Sequence, residues 1–263
     1  MTVQAPPARA AELPQTNRAG ALDVATAQQQ ALLLLLRELG DADWDRPTDC
    51  AGWRVRDIAA HVAGAMDEGA HLRVAVRHLR AAKRSGRGSL VDGLNEAQLA
   101  DRRTLPVSGI LADLERLAPK AARRRRQAPA LIRRRAVPGE DLPAGSTFGY
   151  LFDVIVGRDA WMHRVDVARA CGRPFVPVSS DTEVVAQIVR DLGRFWTGPP
   201  LLLELTGGAG GWWLLGHGAP FAAVRTDAVE YLRLLSGQIA EPDLTISGAE
   251  AVRVPLLAAR VAF

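Results

Sequence analysis

The sequence predicts a helical domain followed by a small α+β domain. Long stretches with helical periodicity, ended by glycine or proline, fill the chain up to Pro174. Short apolar runs separated by Gly-rich turns follow, and these are typical of strands. With 263 residues the chain is long enough for two domains. We therefore expect an N-terminal tail over 1–17, a helical domain over 18–174 and an α+β domain over 175–263.

The first half is predicted to form an up-and-down four-helix bundle. Its tail is rich in Pro and Ala and is expected to be disordered. Loops containing Pro, Gly or Asp separate the helical stretches, and Pro106 could interrupt the third of them. The predicted helices cover residues of about 22–39, 55–83, 95–126 and 146–171. Four helices of this length, joined by short connections, are typical of such a bundle.

The second half alternates helix signals with strand signals. Ser180 with Glu183, and Asp227 with Glu230, have the spacing of a helix N-terminal capping box. The segment 207–211 is predicted to be a hairpin turn, because it lacks the Lys-Ser/Thr that a phosphate-binding loop needs. Strands are expected at about 201–205, 212–215, 221–225 and 244–247, and a closing helix at about 249–261.

Composition excludes several classes of protein. Two cysteines, Cys50 and Cys171, cannot form a disulfide framework and do not make a CxxC metal pair. The longest apolar run, Ala31 to Leu36, is far shorter than the roughly 20 residues that span a bilayer. The first residues also lack the continuous apolar segment of a signal peptide. We therefore expect a reduced, cytoplasmic protein that does not enter a membrane.

Seven arginines occur in the segments 123–126 and 133–135. Such a cluster is either a solvated helix end and loop or a patch that binds anions or nucleic acid. No aromatic residues are interleaved with the cluster, which favours the solvated surface. We therefore do not expect a nucleic-acid partner. The sequence gives no indication of the oligomeric state.

The last predicted helix of the bundle carries a carboxylate and an imidazole within an apolar stripe. The stripe has a spacing of four residues and consists of Leu151, Ile155, Asp159, His163 and Val167. A charged Asp that faces a core is costly unless it is paired or bound to a metal. Because Asp159 and His163 lie one turn apart, both can reach a single ion from the same side.

A second imidazole, His61, lies among small apolar residues on the second predicted helix. Together with Asp159 and His163 it would give three protein ligands and leave a fourth position open, as a catalytic zinc site requires. The alternative is an Asp–His pair without metal, which orients a packed histidine or acts as a general base. Spacing alone leaves both interpretations open.

Two motifs around these residues resemble those of a known family. Residues 48–61, TDCAGWRVRDIAAH, match the pattern Thr-x-Cys-x-Gly-Trp-x-Val-x-Asp-x-x-x-His, and residues 158–166, RDAWMHRVD, are similar to the second motif. Both motifs are those of the mycothiol-dependent maleylpyruvate isomerase family, within the DinB-like metalloenzyme superfamily. The resemblance covers nearly the whole chain, since the α+β half looks like the sterol-carrier-type C-terminal domain of that family.

This resemblance implies a divalent metal, usually zinc, held by His61, Asp159 and His163. It also implies mycothiol as a thiol co-substrate and a small electrophilic substrate, in an isomerase or an S-transferase reaction. The chain departs from the family pattern at Asp159, where the family has Glu; the exchange preserves the chemistry of the ligand. A non-catalytic protein that binds metal or a small ligand is the alternative.

The sequence suggests roles for several residues besides the three predicted metal ligands. Arg225, at the end of a predicted strand, is a candidate cofactor-binding residue through contact with an anion. Trp53 and Trp161 are predicted to be packing residues. Asp166 is either a partner of His163 or an ion-pair partner of Arg169. Three further histidines are predicted to lie at the surface: His71, His78 and His217.

Overall fold

The computed structural model describes residues 7–86, 88–139 and 142–263. The chain divides into two compact units: a helical unit, Asn17–Val176, and a sheet unit, which combines the N-terminal residues through Thr16 with Pro177–Phe263. The structure is mostly helical with one mixed five-stranded sheet, which confirms the predicted fold class at that level. The up-and-down bundle and the sterol-carrier-like domain stay predictions. Over the described residues, no helix combines the length and the apolar character needed to cross a membrane.

The helical unit contains eight helices within its described residues. They are α1 (Arg18–Arg37), α2 (Val55–Ala70), α3 (Leu72–Ser85), α4 (Leu90–Arg102), α5 (Val107–Gln127), α6 (Ala130–Arg133), α7 (Phe148–Tyr150) and α8 (Val156–Ala170). A π-helical turn, Leu151–Ile155, joins α7 to α8. Turns of this kind are rare and often lie near functional sites.

Four of these helices enclose the core of the unit. Helix α2 packs against α5 and α8, and α1 packs against the same two helices from the other side. Fully buried apolar side chains fill the space between them, including Leu36, Ile58, Leu117 and Val167. This packing brings α2, which carries His61, against α8, which carries Asp159 and His163.

The prediction of a single helix over 55–83 is wrong, because this segment forms two helices, α2 and α3, that meet at His71. The backbone of His71 is extended, with φ −139° and ψ 108°. Its N–H donates to the carbonyl of Asp67 at 2.8 Å, its Nδ1 lies 2.6 Å from a carboxylate oxygen of Asp67, and its Nε2 lies 2.7 Å from Nζ of Lys120. These contacts hold the extended backbone that separates the two helices, two residues after Gly69.

The third predicted helix is also two helices. Helix α4 begins at Leu90, where the Ser89 side chain accepts from the backbone N–H of Asp92 at 3.1 Å. It ends at Arg102, before the expected interruption at Pro106, which is the residue preceding α5. Helix α4 carries Gln98 and Asp101 and packs against both α2 and α3.

The sheet unit has five strands in its described residues and three helices. The strands are β1 (Ala8–Arg9), β2 (Leu201–Thr206), β3 (Gly211–Leu215), β4 (Ala222–Asp227) and β5 (Thr245–Gly248), in the order β1-β3-β2-β4-β5. β2 is antiparallel to β3 and parallel to β4; β1 is parallel to β3, and β5 is antiparallel to β4. The helices are α9 (Asp181–Phe195), α10 (Ala228–Leu235) and α11 (Arg253–Ala258).

Two expectations about the ends of the chain are wrong. Residues 8–12, predicted to lie in a disordered tail, form β1 and a 3₁₀ turn in which Ala10 is fully buried against α9. The closing helix is shorter than predicted, because the chain beyond Ala259 is extended and the N–H of Val261 donates to the carbonyl of Leu235. In both places, packing against the sheet unit overrides the local preference of the chain.

Candidate metal centre

Helices α2 and α8 bring the three predicted metal-ligating side chains together. Nε2 of His61 lies 3.5 Å from Oδ1 of Asp159, and Nε2 of His163 lies 3.4 Å from the same oxygen. One ligand atom from each residue lies within 4.8 Å of the other two. The arrangement presents two imidazole nitrogens and a carboxylate oxygen to one point.

The cluster is buried on the side of the helices and open on the side of the carboxylate. The side chains of His61 and His163 are 9% and 10% exposed, whereas that of Asp159 is 28% exposed. Asp159 is therefore the most exposed of the three side chains.

The charges of the three side chains are strongly coupled. Burial disfavours the ionised form of Asp159, but the charges and hydrogen bonds of His163 and His61 outweigh burial and hold the pKa of Asp159 well below its usual range. Burial also disfavours protonated His163, yet Asp159 and Asp166 raise the pKa of this imidazole well above its ordinary value. The site thus keeps an ionised carboxylate at its centre.

Each histidine uses its second nitrogen to contact a buried acceptor. Nδ1 of His61 lies 2.7 Å from Oε1 of Gln98, and Nδ1 of His163 lies 3.1 Å from Oδ2 of Asp166. With Nδ1 as the donor, the neutral form of each ring has its lone pair on Nε2, the nitrogen that faces Asp159. Metal-ligating histidines are oriented by contacts of this kind. The contact with His163 is one of the two predicted for Asp166, which is fully buried.

Trp53 packs against both imidazoles. Its ring centroid lies 5.1 Å from that of His61 and 6.2 Å from that of His163, and the Trp53 and His163 rings stack at an interplanar angle of 27°. Trp161, by contrast, is fully buried and packs edge-to-face on Phe175. The predicted packing role therefore holds for both, but Trp53 is also part of the wall of the site.

Cys50 contacts Asp166, the residue that also contacts Nδ1 of His163. Its Sγ is 3.3 Å from Oδ2 of Asp166, and these three residues form a second group of possible ligand atoms within 4.8 Å of one another. Burial raises the pKa of the Cys50 thiol, although His163 opposes this effect. The Cys50 thiol thus donates a hydrogen bond to Asp166, and Asp166 accepts hydrogen bonds from both Cys50 and His163.

The structure places other predicted residues away from this cluster. Arg225 lies on β4 in the sheet unit, exposed, with its guanidinium 3.5 Å from a carboxylate oxygen of Glu204. Its role as a cofactor contact stays a prediction. His217 is exposed, as expected.

The seven arginines of 123–126 and 133–135 do not form one uniform patch. Arg124 and Arg125 donate to backbone carbonyls of α2, and Arg133 pairs with Asp153. Burial lowers the pKa of Arg125 to about 10, against the opposing charges of Asp159 and Glu68. At least one cation of the segment is therefore turned toward the interior, where it adds positive potential to the region of the candidate site.

The sequence-based assignment of His78 to the surface is wrong. His78 is 1% exposed, with Nδ1 at 2.7 Å from Oε1 of Glu68 and Nε2 at 2.9 Å from Oδ2 of Asp101. No spacing could have revealed these partners, because His78 and Asp101 lie on separate short helices. Glu68 does follow His61 by seven residues, two turns along the same face of α2, but this spacing does not involve His78.

Comparison with known proteins agrees with the residue pattern. The family model of the mycothiol maleylpyruvate isomerase N-terminal domain matches residues 25–168, more than half of the chain. Two solved structures resemble the chain: the mycothiol-dependent maleylpyruvate isomerase, with 17% identity and a TM-score of 0.57, and a variant of it with one histidine replaced by alanine, with 16% identity and a TM-score of 0.55.

Each alignment covers 91% of this chain and 95% of the other, and at this identity it establishes similarity of fold. No curated protein matches the chain. The family match, which includes both motifs and all three clustered side chains, is the finding that assigns the sequence. The chain belongs to the family defined by the mycothiol maleylpyruvate isomerase N-terminal domain.

Proposed function

We propose that this protein is a metal-dependent enzyme that activates mycothiol for reaction with a small electrophilic substrate. His61, Asp159 and His163 would hold a divalent metal, with zinc as the first candidate because it suits a set of two imidazoles and a carboxylate. Membership of the family and the convergence of these side chains support the proposal.

The separations within the cluster are the observation that carries the proposal. Zinc lies about 2.0–2.1 Å from nitrogen and oxygen ligands, so two ligands of a tetrahedral ion are about 3.4 Å apart. The two measured His–Asp separations are 3.4 and 3.5 Å. A direct N–H···O hydrogen bond is shorter, at about 2.7–3.2 Å. Both separations match two ligands of one ion and lie at the long limit of an Asp–His hydrogen bond, so they support a shared ion.

When bound, the metal would supply the positive charge that lowers the pKa of a thiol, so that the thiol reacts as a nucleophile at neutral pH. The side chains have separate tasks. Gln98 and Asp166 orient His61 and His163 through their outer nitrogens. Trp53 covers the two imidazoles, and the exposed side of Asp159 is the side from which a small thiol can enter.

Two reactions follow from an activated thiol. Addition of the sulfur to one carbon of an activated double bond, rotation about the resulting single bond and departure of the sulfur give cis–trans isomerisation and regenerate the thiol. Attack on an epoxide, or displacement of a leaving group, leaves the sulfur on the product and gives S-transfer. The name of the family favours the first reaction, whereas fold alone does not select between them.

Metal binding is tested by the metal content of protein loaded with zinc and then desalted. We expect one equivalent in the wild type and in His217→Ala, whose histidine is exposed in the sheet unit. We expect much less in His163→Ala and in Asp159→Asn, which keeps the shape of the side chain. Asp159→Glu, which restores the residue of the family pattern, should retain the metal. A wild type without stoichiometric metal refutes the proposal.

Catalysis is tested with the zinc-loaded protein, mycothiol and a panel of electrophiles that includes cis-configured double bonds, epoxides and halides. Isomerised product without consumption of thiol identifies an isomerase, and a thiol adduct identifies an S-transferase. Metal binding without turnover across the panel would instead identify a non-catalytic metal-binding protein.

A further inference from the structure

A continuous row of polar side chains leads from His61 through the helical unit, away from the candidate metal site. Nδ1 of His61 contacts Oε1 of Gln98 at 2.7 Å, and Nε2 of Gln98 donates to Oε1 of Glu68 at 2.9 Å. The same oxygen of Glu68 lies 2.7 Å from Nδ1 of His78, whose Nε2 is 2.9 Å from Oδ2 of Asp101. The row crosses α2, α4 and α3 and reaches the surface at Asp101, which is 34% exposed.

The hydrogen atoms along this row can be assigned from its chemistry. An ionised carboxylate accepts hydrogen bonds and cannot donate them, so Glu68 requires the amide nitrogen of Gln98 to face it. The amide oxygen of Gln98 then faces His61 and can only accept. The hydrogen of neutral His61 must therefore lie on Nδ1, which leaves the lone pair on Nε2, the nitrogen that faces Asp159.

Asp159 competes for the same hydrogen. Its carboxylate would attract a hydrogen on Nε2 of His61, but the separation there is 3.5 Å, against 2.7 Å between Nδ1 and Gln98. The shorter contact is the stronger of the two hydrogen bonds. The orientation of Gln98 thus decides between the two tautomers.

His78 holds the far end of the row. Both of its nitrogens face carboxylates, Glu68 from α2 and Asp101 from α4, so both must donate and the ring carries a positive charge. Burial opposes this charge, but the two carboxylates outweigh burial and raise the pKa of His78. Arg77, on the same helix as His78, adds its charge beside Asp101. Glu68 is therefore fixed by a buried cation on one side and Gln98 on the other.

We propose that Glu68 is a positioning residue that sets the tautomer of His61 through the orientation of Gln98, with His78 as the anchor of Glu68. The row does not conduct protons, because the Gln98 amide would have to give up its own hydrogen and change its bonding to pass one on. Its effect is to reserve Nε2 of His61 for a ligand. The expected gain in metal affinity rests on the proposed function. The assignment of the His61 tautomer does not depend on that proposal.

The tautomer is measured in metal-free protein by long-range ¹H–¹⁵N correlation spectra of ¹⁵N-labelled histidine, recorded at a pH where the spectrum itself shows that His61 is neutral. We expect the hydrogen of His61 on Nδ1 in the wild type. Glu68→Gln keeps the shape of the side chain but adds a donor, so Gln98 can turn over and part of the His61 population should carry its hydrogen on Nε2. Glu96→Gln is the matched control, since Glu96 lies at the surface of α4 in an ion pair with Arg103.

Zinc affinity, measured by competition with a chelator dye, gives a second reading. Loss of an outer hydrogen bond to a ligating histidine typically weakens metal binding by about 10–100-fold, and we expect a loss in this range for Glu68→Gln but not for Glu96→Gln. Gln98→Leu, which removes the acceptor itself, should affect His61 in the same direction. It provides a second variant if either substitution impairs folding.

Two results overturn the inference: a wild type with the hydrogen of His61 on Nε2, or a tautomer that remains unchanged in both Glu68→Gln and Gln98→Leu. A tautomer that responds to Glu68→Gln in a protein that binds no zinc supports the inference while refuting the proposed metal site. The two failures are thus distinguishable.

Discussion

Replacing Gly64 by Ala should separate two helices that the candidate site needs in close contact. Gly64 lies one turn beyond His61 on α2 and faces α4. A Cβ at this position would lie 2.5 Å from Cβ, 2.7 Å from Cγ and 3.1 Å from Cα of Gln98. Carbon atoms in contact are normally about 3.5–4.0 Å apart, so α4 must move by about 1 Å.

Two opposing effects set the stability of Gly64→Ala. Over-packing of a core contact typically costs about 1–3 kcal/mol, while the greater helix propensity of Ala returns about 1 kcal/mol. The neighbours are the backbone and first side-chain carbons of Gln98, which cannot swing aside, so over-packing should dominate. We expect a net loss of about 0–2 kcal/mol in the free energy of unfolding, measured by urea denaturation.

The effect on the site should exceed the effect on stability. A shift of about 1 Å would stretch the His61–Gln98 contact from 2.7 Å to beyond the range of a hydrogen bond. Zinc affinity should then fall by about 10–100-fold in the competition assay. Gly109→Ala is the matched control, because its nearest new contact, with Pro106, is an ordinary 3.5 Å. It should be neutral or more stable by about 0.5–1 kcal/mol, with unchanged zinc affinity. If Gly64→Ala behaves like Gly109→Ala in both measurements, the argument from close helix contact is refuted.

Two further predictions concern buried polar groups. The pKa of His78 is raised in the folded protein, so the stability it contributes is fully present below its unfolded pKa of about 6.5 and is lost as pH rises through the folded value. Urea unfolding of the wild type and of His78→Gln between about pH 5.5 and 8.5 should show a difference that shrinks as pH rises; a constant difference would contradict the charged state of His78. Within the described residues the Tyr231 hydroxyl is buried without a hydrogen-bond partner, so Tyr231→Phe should raise the free energy of unfolding by about 1 kcal/mol, and a loss of stability would show that the hydroxyl is satisfied.

The parts of the fold that could be predicted are those governed by local periodicity. The alternation of Leu201, Leu203 and Leu205 predicts a strand with one buried face, and all three side chains are buried in β2. The four-residue spacing of Asp159 and His163 likewise predicts two side chains on one face of a helix. In each case the period of the element fixes the direction of the side chain before any tertiary contact is known.

The parts that could not be predicted depend on contacts between distant segments. Helix α2 ends at Ala70 because Asp67 and Lys120 hold His71, and Lys120 lies on α5. Ala10 is buried because Gly193 leaves room for it on α9: a Cβ on Gly193 would lie 2.6 Å from the Cβ of Ala10. The tail has the composition of a disordered segment, and only its partner reveals that it is ordered.

The candidate site shows the same division. Its three central residues lie in recognisable motifs, whereas the residues that orient them do not: Gln98 lies 37 positions from His61 and on another helix. The family motif contains Cys50, but the spacing gives no hint that its thiol and His163 share Asp166 as an acceptor. Outer contacts are set by how helices pack, and one sequence does not encode that packing in a local pattern.

The two outer contacts differ in charge, and the difference bears on the chemistry. His163 is oriented by a carboxylate, Asp166, and His61 by an amide, Gln98. In the proposed metal site, the carboxylates of Asp159 and Asp166 together would balance the two positive charges of a divalent ion, and the amide would add none. The negative charge of Glu68 lies beyond Gln98, so it does not contact His61, and the imidazolium of His78 faces it. The row thus orients His61 through a neutral amide, without placing a third negative charge beside the position that an incoming thiolate would occupy.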